Sequence, residues 1–299
     1  MIRRPPCSTQ SAERGDPIYG TASAGTAWVL LELGGGWGHS AFLQSPSIID
    51  HDLGLRIVRR VEKQRMRIVA IRRPGRRPPT PRWRWFIVNA EPGAESVHTG
   101  EVDGPAGYLD LALDGSDGQA TTEPLVAVCA HGKHDQCCAV RGRAATAAIA
   151  SAYPEWTWEC SHLGGDRFAA TGLILPHGLC YGRLDTATDP ATVVELYTQG
   201  RLDDSLLRGR TSLPHAVQAA QHFARVETGD DRIESFAPID VAHLDGRIRV
   251  RLVGDGAPID VVLIEEFSEP LFSMCEATVT GRVRQFDLDS LTIGHGAAI

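Results

Sequence analysis

The segment from Cys129 to Arg183 constrains this 299-residue chain more than any other. Its first limb reads CAHGKHDQCCAVRGRAATAAIA (129–150), and its second WTWECSHLGGDRFAATGLILPHGLCYGRL (156–184). Five of the seven cysteines (Cys129, Cys137, Cys138, Cys160, Cys180) fall here, together with His131, His134, His162 and His177. Glycines stand where the backbone must turn tightly. Thiol and imidazole donors gathered around such turns point to a bound metal centre.

In the first limb, the apolar run 125–128 reads as a strand ending at Cys129. A polar loop follows, and 139–150 consists almost wholly of helix formers. A cysteine at the strand end and another in the first helical turn thus face one loop from both sides, where unpaired helix amides favour thiolate over thiol. In the second limb, 157–160 and 171–175 read as strands around a glycine-containing bend, 161–166, that carries His162 and Asp166. Cys160 and His162 are two residues apart and project to the same face of an extended chain.

At these residues the chain resembles the sucrase/ferredoxin-like family, whose relevant domain is a thioredoxin-like ferredoxin. The resemblance implies that a Cys-x8-Cys pair, here Cys129 and Cys138, supplies one half of a [2Fe–2S] ligand set. It also implies that a loop of the form SH-x-GGH supplies the other half through two histidines. Here the loop is SHLGGD, so His162 matches the first histidine and Asp166 stands at the second. Thiolate suits a cluster iron better than a hard carboxylate, so Cys160 is the expected fourth ligand and Asp166 its alternative. The expected set is Cys129, Cys138, Cys160 and His162. The segment CSTQSAERGDPIYGTAS (7–23) also resembles the family's opening motif. Cys137 matches no family ligand and, with Cys7, Cys180 and Cys275, reads as structural.

Two other classes use the same residues. A zinc-binding structural module accepts mixed thiolate and imidazole sets. A thioredoxin-like thiol oxidoreductase cycles its cysteines, but the adjacent Cys137 and Cys138 are not a C-x-x-C pair. The net charge of -7 argues against nucleic acid as the main partner. An odd, clustered cysteine count is a poor match to a secreted disulfide framework and suits a reducing cytoplasm. Neither a signal-like h-region nor a membrane-length apolar run is present, and no paired-carboxylate signature or phosphate-loop spacing stands out. Arginine and alanine are abundant while lysine is confined to Lys63 and Lys133, a composition that suggests a bacterial, GC-rich genome. The reading is therefore a cytoplasmic iron–sulfur protein that passes single electrons to a redox partner protein, with no nucleic acid or membrane partner. Lys133, Arg141, Arg143 and Arg167 surround the ligands in sequence and offer an acidic partner a docking charge.

The fold class is α/β (α+β), in three parts. Residues 1–118 begin irregular and polar, then run strand (27–33), amphipathic helix (47–63) and two strands (66–72 and 83–88) separated by the loop RRPGRRPPTPR. Residues 119–205 form the thioredoxin-like ferredoxin domain, with strands at 125–129, 157–160, 171–175 and 181–184 and a terminal helix from Asp189 to Gly200. The similar order of elements identifies the first part as a candidate degenerate thioredoxin-like copy without ligands. Residues 206–299 form a small α+β tail: a helix (214–226), then antiparallel strands that include 248–252, 260–264 and 278–283.

Overall fold

The computed structural model describes residues 4–75 and 82–294. A short helix, α1 (Cys7–Glu13), precedes β1 (Ala27–Glu32), α2 (His51–Lys63), β2 (Arg67–Arg72), β3 (Arg84–Asn89), β4 (Ser96–Glu101) and β5 (Gln119–Thr121). A second series follows: β6 (Leu125–Cys129), α3 (Arg143–Ala152), β7 (Thr157–Cys160), β8 (Gly172–Leu175) and β9 (Leu179–Tyr181). In each series the first two strands pair in parallel across a helix, and the first strand pairs antiparallel with the third, which pairs antiparallel with the fourth. The two halves therefore share one topology. The last pair of the first parallel ladder is Glu32 with Ile71, and that of the second is Cys129 with Cys160.

The halves join through β2 and β7, which overlap only at their C-terminal ends, Ile71 opposite Cys160 and Arg72 opposite Glu159. This seam makes one ten-stranded mixed sheet, completed after α4 (Thr192–Thr198) by β10 (Leu207–Arg210) on the β9 edge. Alternation along each strand splits the side chains between two buried faces, and so the strands read as nearly continuous apolar runs. Trp28, Leu30, Val69, Ile71, Leu125, Ala127, Cys129 and Trp158 share one core that crosses the seam. The sheet curls around this core: Phe86 and Trp158 meet edge to face at 5.5 Å although two strands separate theirs. The outer face is covered in two pieces, by Ile57 and Val61 of α2 and by Ala145 and Ile149 of α3. After α5 (His215–Thr228), the strands β11 (Ala237–Leu244), β12 (Arg247–Gly254), β13 (Ala257–Phe267) and β14 (Arg284–Ile293) form an antiparallel meander. It packs Val250, Leu252, Val261 and Leu263 on Val217 and Ala220 of α5. Among the described residues, no helix is long and apolar enough to cross a membrane.

Several elements depart from the sequence expectation for identifiable reasons. The helix expected over 47–63 starts at His51, because the Asp50 carboxylate caps it by accepting from the amides of Asp52 and Leu53 at 2.9 and 3.2 Å. The strand expected at 181–184 lies at Leu179–Tyr181, and Arg183 turns into the left-handed region at φ 54°. The strand expected at 278–283 is a connection, with Val279 78% exposed; alternation there has no core to face. Strand β5 pairs with β4 and so sits with the first half, while β10 sits with the second. Residues 76–81 of the arginine- and proline-rich loop lie outside the described residues.

The opening segment, expected to be irregular, contains α1 because Cys7, Ser8 and Ser11 gain a buried face against the second half. Asp16 anchors this segment. Its carboxylate pairs with Arg14 at 2.8 Å and with the buried Arg167 at 3.0 Å, and Arg183 donates to its carbonyl at 2.8 Å. Burial raises the Asp16 pKa, but hydrogen bonds from Arg14 and Ser11 and the charge of Arg167 outweigh it and hold the group below its ordinary value. Asp16→Ala leaves the Arg167 guanidinium buried and unpaired, and the expected loss is about 3–5 kcal/mol in urea unfolding. A depressed carboxylate pKa contributes stability above the unfolded-state value and loses it as pH falls through the folded-state value. The difference between wild type and variant therefore narrows in acid, and a difference that stays constant down to strongly acidic pH contradicts this account.

Candidate metal centre

All five residues of β6 are buried, and alternation sends Cys129 into the shared core at the strand's C-terminal end. The chain then turns through 130–137, where the Asp135 carboxylate accepts from the Cys137 amide at 2.7 Å. Cys138 opens a single π-helical turn, Cys138–Gly142, that runs into α3. π turns inside helices often mark functional sites. Gly142 permits the close approach: a Cβ there would lie 1.9 Å from the Cys129 carbonyl oxygen.

The second limb leaves the sheet at Ser161, whose amide donates to Ala70 O at 2.8 Å and whose hydroxyl accepts from the Ala70 amide at 3.0 Å. Gly164 and Gly165 follow with φ of 87° and 86°, a backbone that folds Asp166 back over His162. Arg208, buried beneath this bend, donates to Gly164 O at 2.8 Å and to Thr21 Oγ1 at 3.1 Å. A Cβ on Gly165 would meet that guanidinium at 2.6 Å.

These two turns bring Cys129, Cys138 and His162 together, with one donor atom from each within 4.8 Å of the others. Cys138 Sγ donates to Asp166 Oδ1 at 3.2 Å, and His162 Nδ1 lies 3.1 Å from the same oxygen. That second approach is a charge contact only: Nδ1 is buried without a well-formed hydrogen bond. His162, Asp166 and His134 form an overlapping donor group, and the His134 ring stacks on His162 at 3.8 Å between centroids. His39 and His131 stand behind His134, at 5.1 and 5.7 Å.

The electrostatics describe a set that already holds charge. A hydrogen bond from Cys138 lowers the Cys129 thiol well below its ordinary value, against burial and with help from His162. Cys138 rises correspondingly, through its bond to Cys129 and through burial. Burial lowers His162, but Asp166 and Cys129 outweigh it and push the imidazole up to about 9. Burial raises Asp166, and His162 holds it below the carboxylate range. The imidazole thus draws the Cys129 thiol and the Asp166 carboxyl toward their charged forms, and a metal would displace the protons of Cys138 and His162.

Cys160 stands apart. It ends β7 beside Cys129, fully buried, with its thiol pushed well above the ordinary value by burial first and by the Cys129 charge second. Its sulfur is in none of the convergent donor groups. In the sequence His134 reads as a solvated loop residue rather than a ligand, and the fold stacks it on His162. Cys7, Cys137 and Cys275 likewise read as unrelated structural residues, and the fold brings them together. Of the four basic neighbours, Arg141 is committed to Asp185 at 2.8 Å and Arg167 to Asp16, leaving Lys133 and Arg143 exposed.

A family model described as sucrase/ferredoxin-like matches residues 18–209. No curated protein and no solved structure matches the chain. The matched stretch includes both halves of the ten-stranded sheet and every donor of the Cys129 group; by that match, the chain belongs to the sucrase/ferredoxin-like family.

Proposed function

We propose that this protein holds a [2Fe–2S] cluster through Cys129, Cys138, His162 and Asp166 and passes single electrons to a partner protein. The observation that carries this reading is the donor set: two thiols on one side and an imidazole with a carboxylate on the other. The buried His162 Nδ1 without a hydrogen-bond partner fits a ligand better than a packing residue. Asp166 takes the fourth place ahead of Cys160. Thiolate is the softer donor, but Asp166 already contacts both Cys138 and His162, and the Cys160 thiol is seated in the core. In the same reading, each β-α-β-β-β half is thioredoxin-like, the first having Glu32 where the second has Cys129.

When bound, such a cluster supplies a one-electron redox couple whose potential depends on its ligands, hydrogen bonds and exposure. The chain's own residues set those conditions. Cys129 and Cys138 lie in the core and exclude water from their side, while His162 and His134 are partly exposed and face the surface. Lys133 and Arg143, both exposed, flank the apolar Val140 and give an acidic redox partner a small cationic landing area. An open cleft of about 1190 Å³ beside β3 and β4, lined by Arg84, Glu101 and Asp117 among others, includes none of the donors.

Protein made anaerobically with ample iron is expected to be red-brown and to contain two irons and two acid-labile sulfides per chain, the composition of the proposed cluster. Cys129→Ser and Cys138→Ser should each abolish both iron and sulfide, because each removes a thiolate that the described donor group does not duplicate. Zinc without sulfide, bound to wild type and lost in Cys129→Ser, refutes the cluster in favour of a zinc module.

The fourth ligand has its own test. Asp166→Ala is expected to lower the iron retained after desalting by about 10-fold or more, on the scale of weakened metal sites, while Cys160→Ala retains wild-type iron. The reverse order assigns the fourth position to Cys160.

A further inference from the structure

A second group of thiols lies outside the centre described above. Cys7 opens α1, Cys137 immediately precedes the Cys138 turn, and Cys275 sits at the tip of an excursion between β13 and β14. Their sulfurs form a closed triangle: 3.7 Å from Cys7 to Cys137, 3.3 Å from Cys137 to Cys275 and 3.6 Å from Cys275 to Cys7. Asp135 completes the group, with a carboxylate oxygen inside the same 4.8 Å limit.

We propose that Cys7, Cys137 and Cys275, with Asp135, form a second metal site that takes one thiophilic divalent cation of the zinc class. Tetrahedral zinc with bonds of ~2.3 Å to sulfur sets its thiolates ~3.8 Å apart, close to the three observed separations. A disulfide joins two sulfurs at ~2.05 Å and leaves the third thiol without a role. A metal uses all three.

The surroundings are built as those of a metal site are. Asp135 accepts from the Cys137 amide and, through its other oxygen, from the Cys275 amide, each at 2.7 Å, so one buried carboxylate sets two of the cysteines. Ser8 donates its hydroxyl to Cys137 Sγ at 3.1 Å, orienting the sulfur as an acceptor. Arg4 donates to the carbonyls of Cys275 and Ala277 at 2.6 and 3.0 Å and brings a positive charge beside an otherwise anionic group.

The excursion itself calls for a staple. Residues 268–283 leave a continuous antiparallel pair and close again with a single bridge, Leu271 to Gly281. Among the described residues, the apolar cluster at the tip consists of Cys7, Cys137 and Ala169 with the partly buried Cys275. A metal there ties the N-terminal helix, the ligand loop and the C-terminal excursion into one unit. It also explains the adjacent cysteines: Cys138 faces the Cys129 centre and Cys137 faces this one. Cys7 and Cys275 both fall outside the residues that match the family model.

The test is metal analysis of the full-length chain by mass spectrometry, with iron and sulfide measured on the same samples. Wild type is expected to carry one zinc beyond whatever occupies the Cys129 centre. Cys275→Ser should lose that zinc and keep the wild-type iron and sulfide, and Cys129→Ser should keep the zinc. Zinc that persists in Cys275→Ser, or that disappears with Cys129→Ser, overturns the assignment. Should Cys275→Ser fail to fold by circular dichroism, cobalt(II) titration of metal-stripped, reduced Cys129→Ser protein decides. Thiolate-to-cobalt charge-transfer absorption that saturates at one equivalent in the Cys129→Ser background supports the site. Absence of that absorption overturns it.

Discussion

The structure depends on a two-residue seam. Strands β2 and β7 meet only at Ile71–Cys160 and Arg72–Glu159, yet this overlap turns two five-stranded units into one sheet and brings the C-terminal ends of β1, β2, β6 and β7 together. Loops at the C-terminal ends of parallel strands are a usual place for ligands, and β1–β2 and β6–β7 are the parallel pairs of this sheet. The seam is reinforced from the first half. Arg72 pairs with Glu159 at 2.6 Å and stacks over Trp37 at 4.1 Å, and Trp37 in turn meets His131 edge-on at 5.5 Å. His131 also contacts the Gly38 carbonyl at 2.7 Å. The half without the cysteines thus buttresses the loop that carries them.

A second dependence is electrostatic. The buried Cys129 thiol, the Asp166 carboxyl and the His162 imidazole share a small volume; Cys138 and His162 lower Cys129, His162 lowers Asp166, and those two acids in turn push His162 up. Buried arginines around them are committed elsewhere, Arg167 to Asp16 and Arg208 to backbone carbonyls. They hold the loops in place; they are not counter-charges to the donors. The opening segment matters for the same reason, since it supplies both Asp16 and the Thr21 groups that receive Arg208.

Much of this was legible in the sequence because the relevant signals are local. Strand, loop and helix around Cys129 and Cys138 follow from an apolar run, a polar turn and an alanine-rich stretch, and β6 matches its expected bounds. The repeated order of elements was visible too, since each half carries its own periodicity. What depends on long-range packing was not. The approach of Asp166 to Cys138 and His162 turns on the bend at Gly164 and Gly165, which the residue types alone do not encode. Helix α1 forms against Cys137 and Ala169, the former 130 residues from Cys7, and the convergence of Cys7, Cys137 and Cys275 joins positions 268 residues apart. Arg141 and Arg167 read as charges around the ligands, but their partners, Asp185 and Asp16, are distant in sequence.

The most direct test of the central claim is anomalous diffraction from crystals of anaerobically prepared protein, recorded on both sides of the iron absorption edge. The account predicts iron density bonded to Cys129 and Cys138 on one side and to His162 and Asp166 on the other, with the Cys160 sulfur unligated. Iron bonded to Cys160, or no iron-specific density at Cys129 and Cys138, would contradict it.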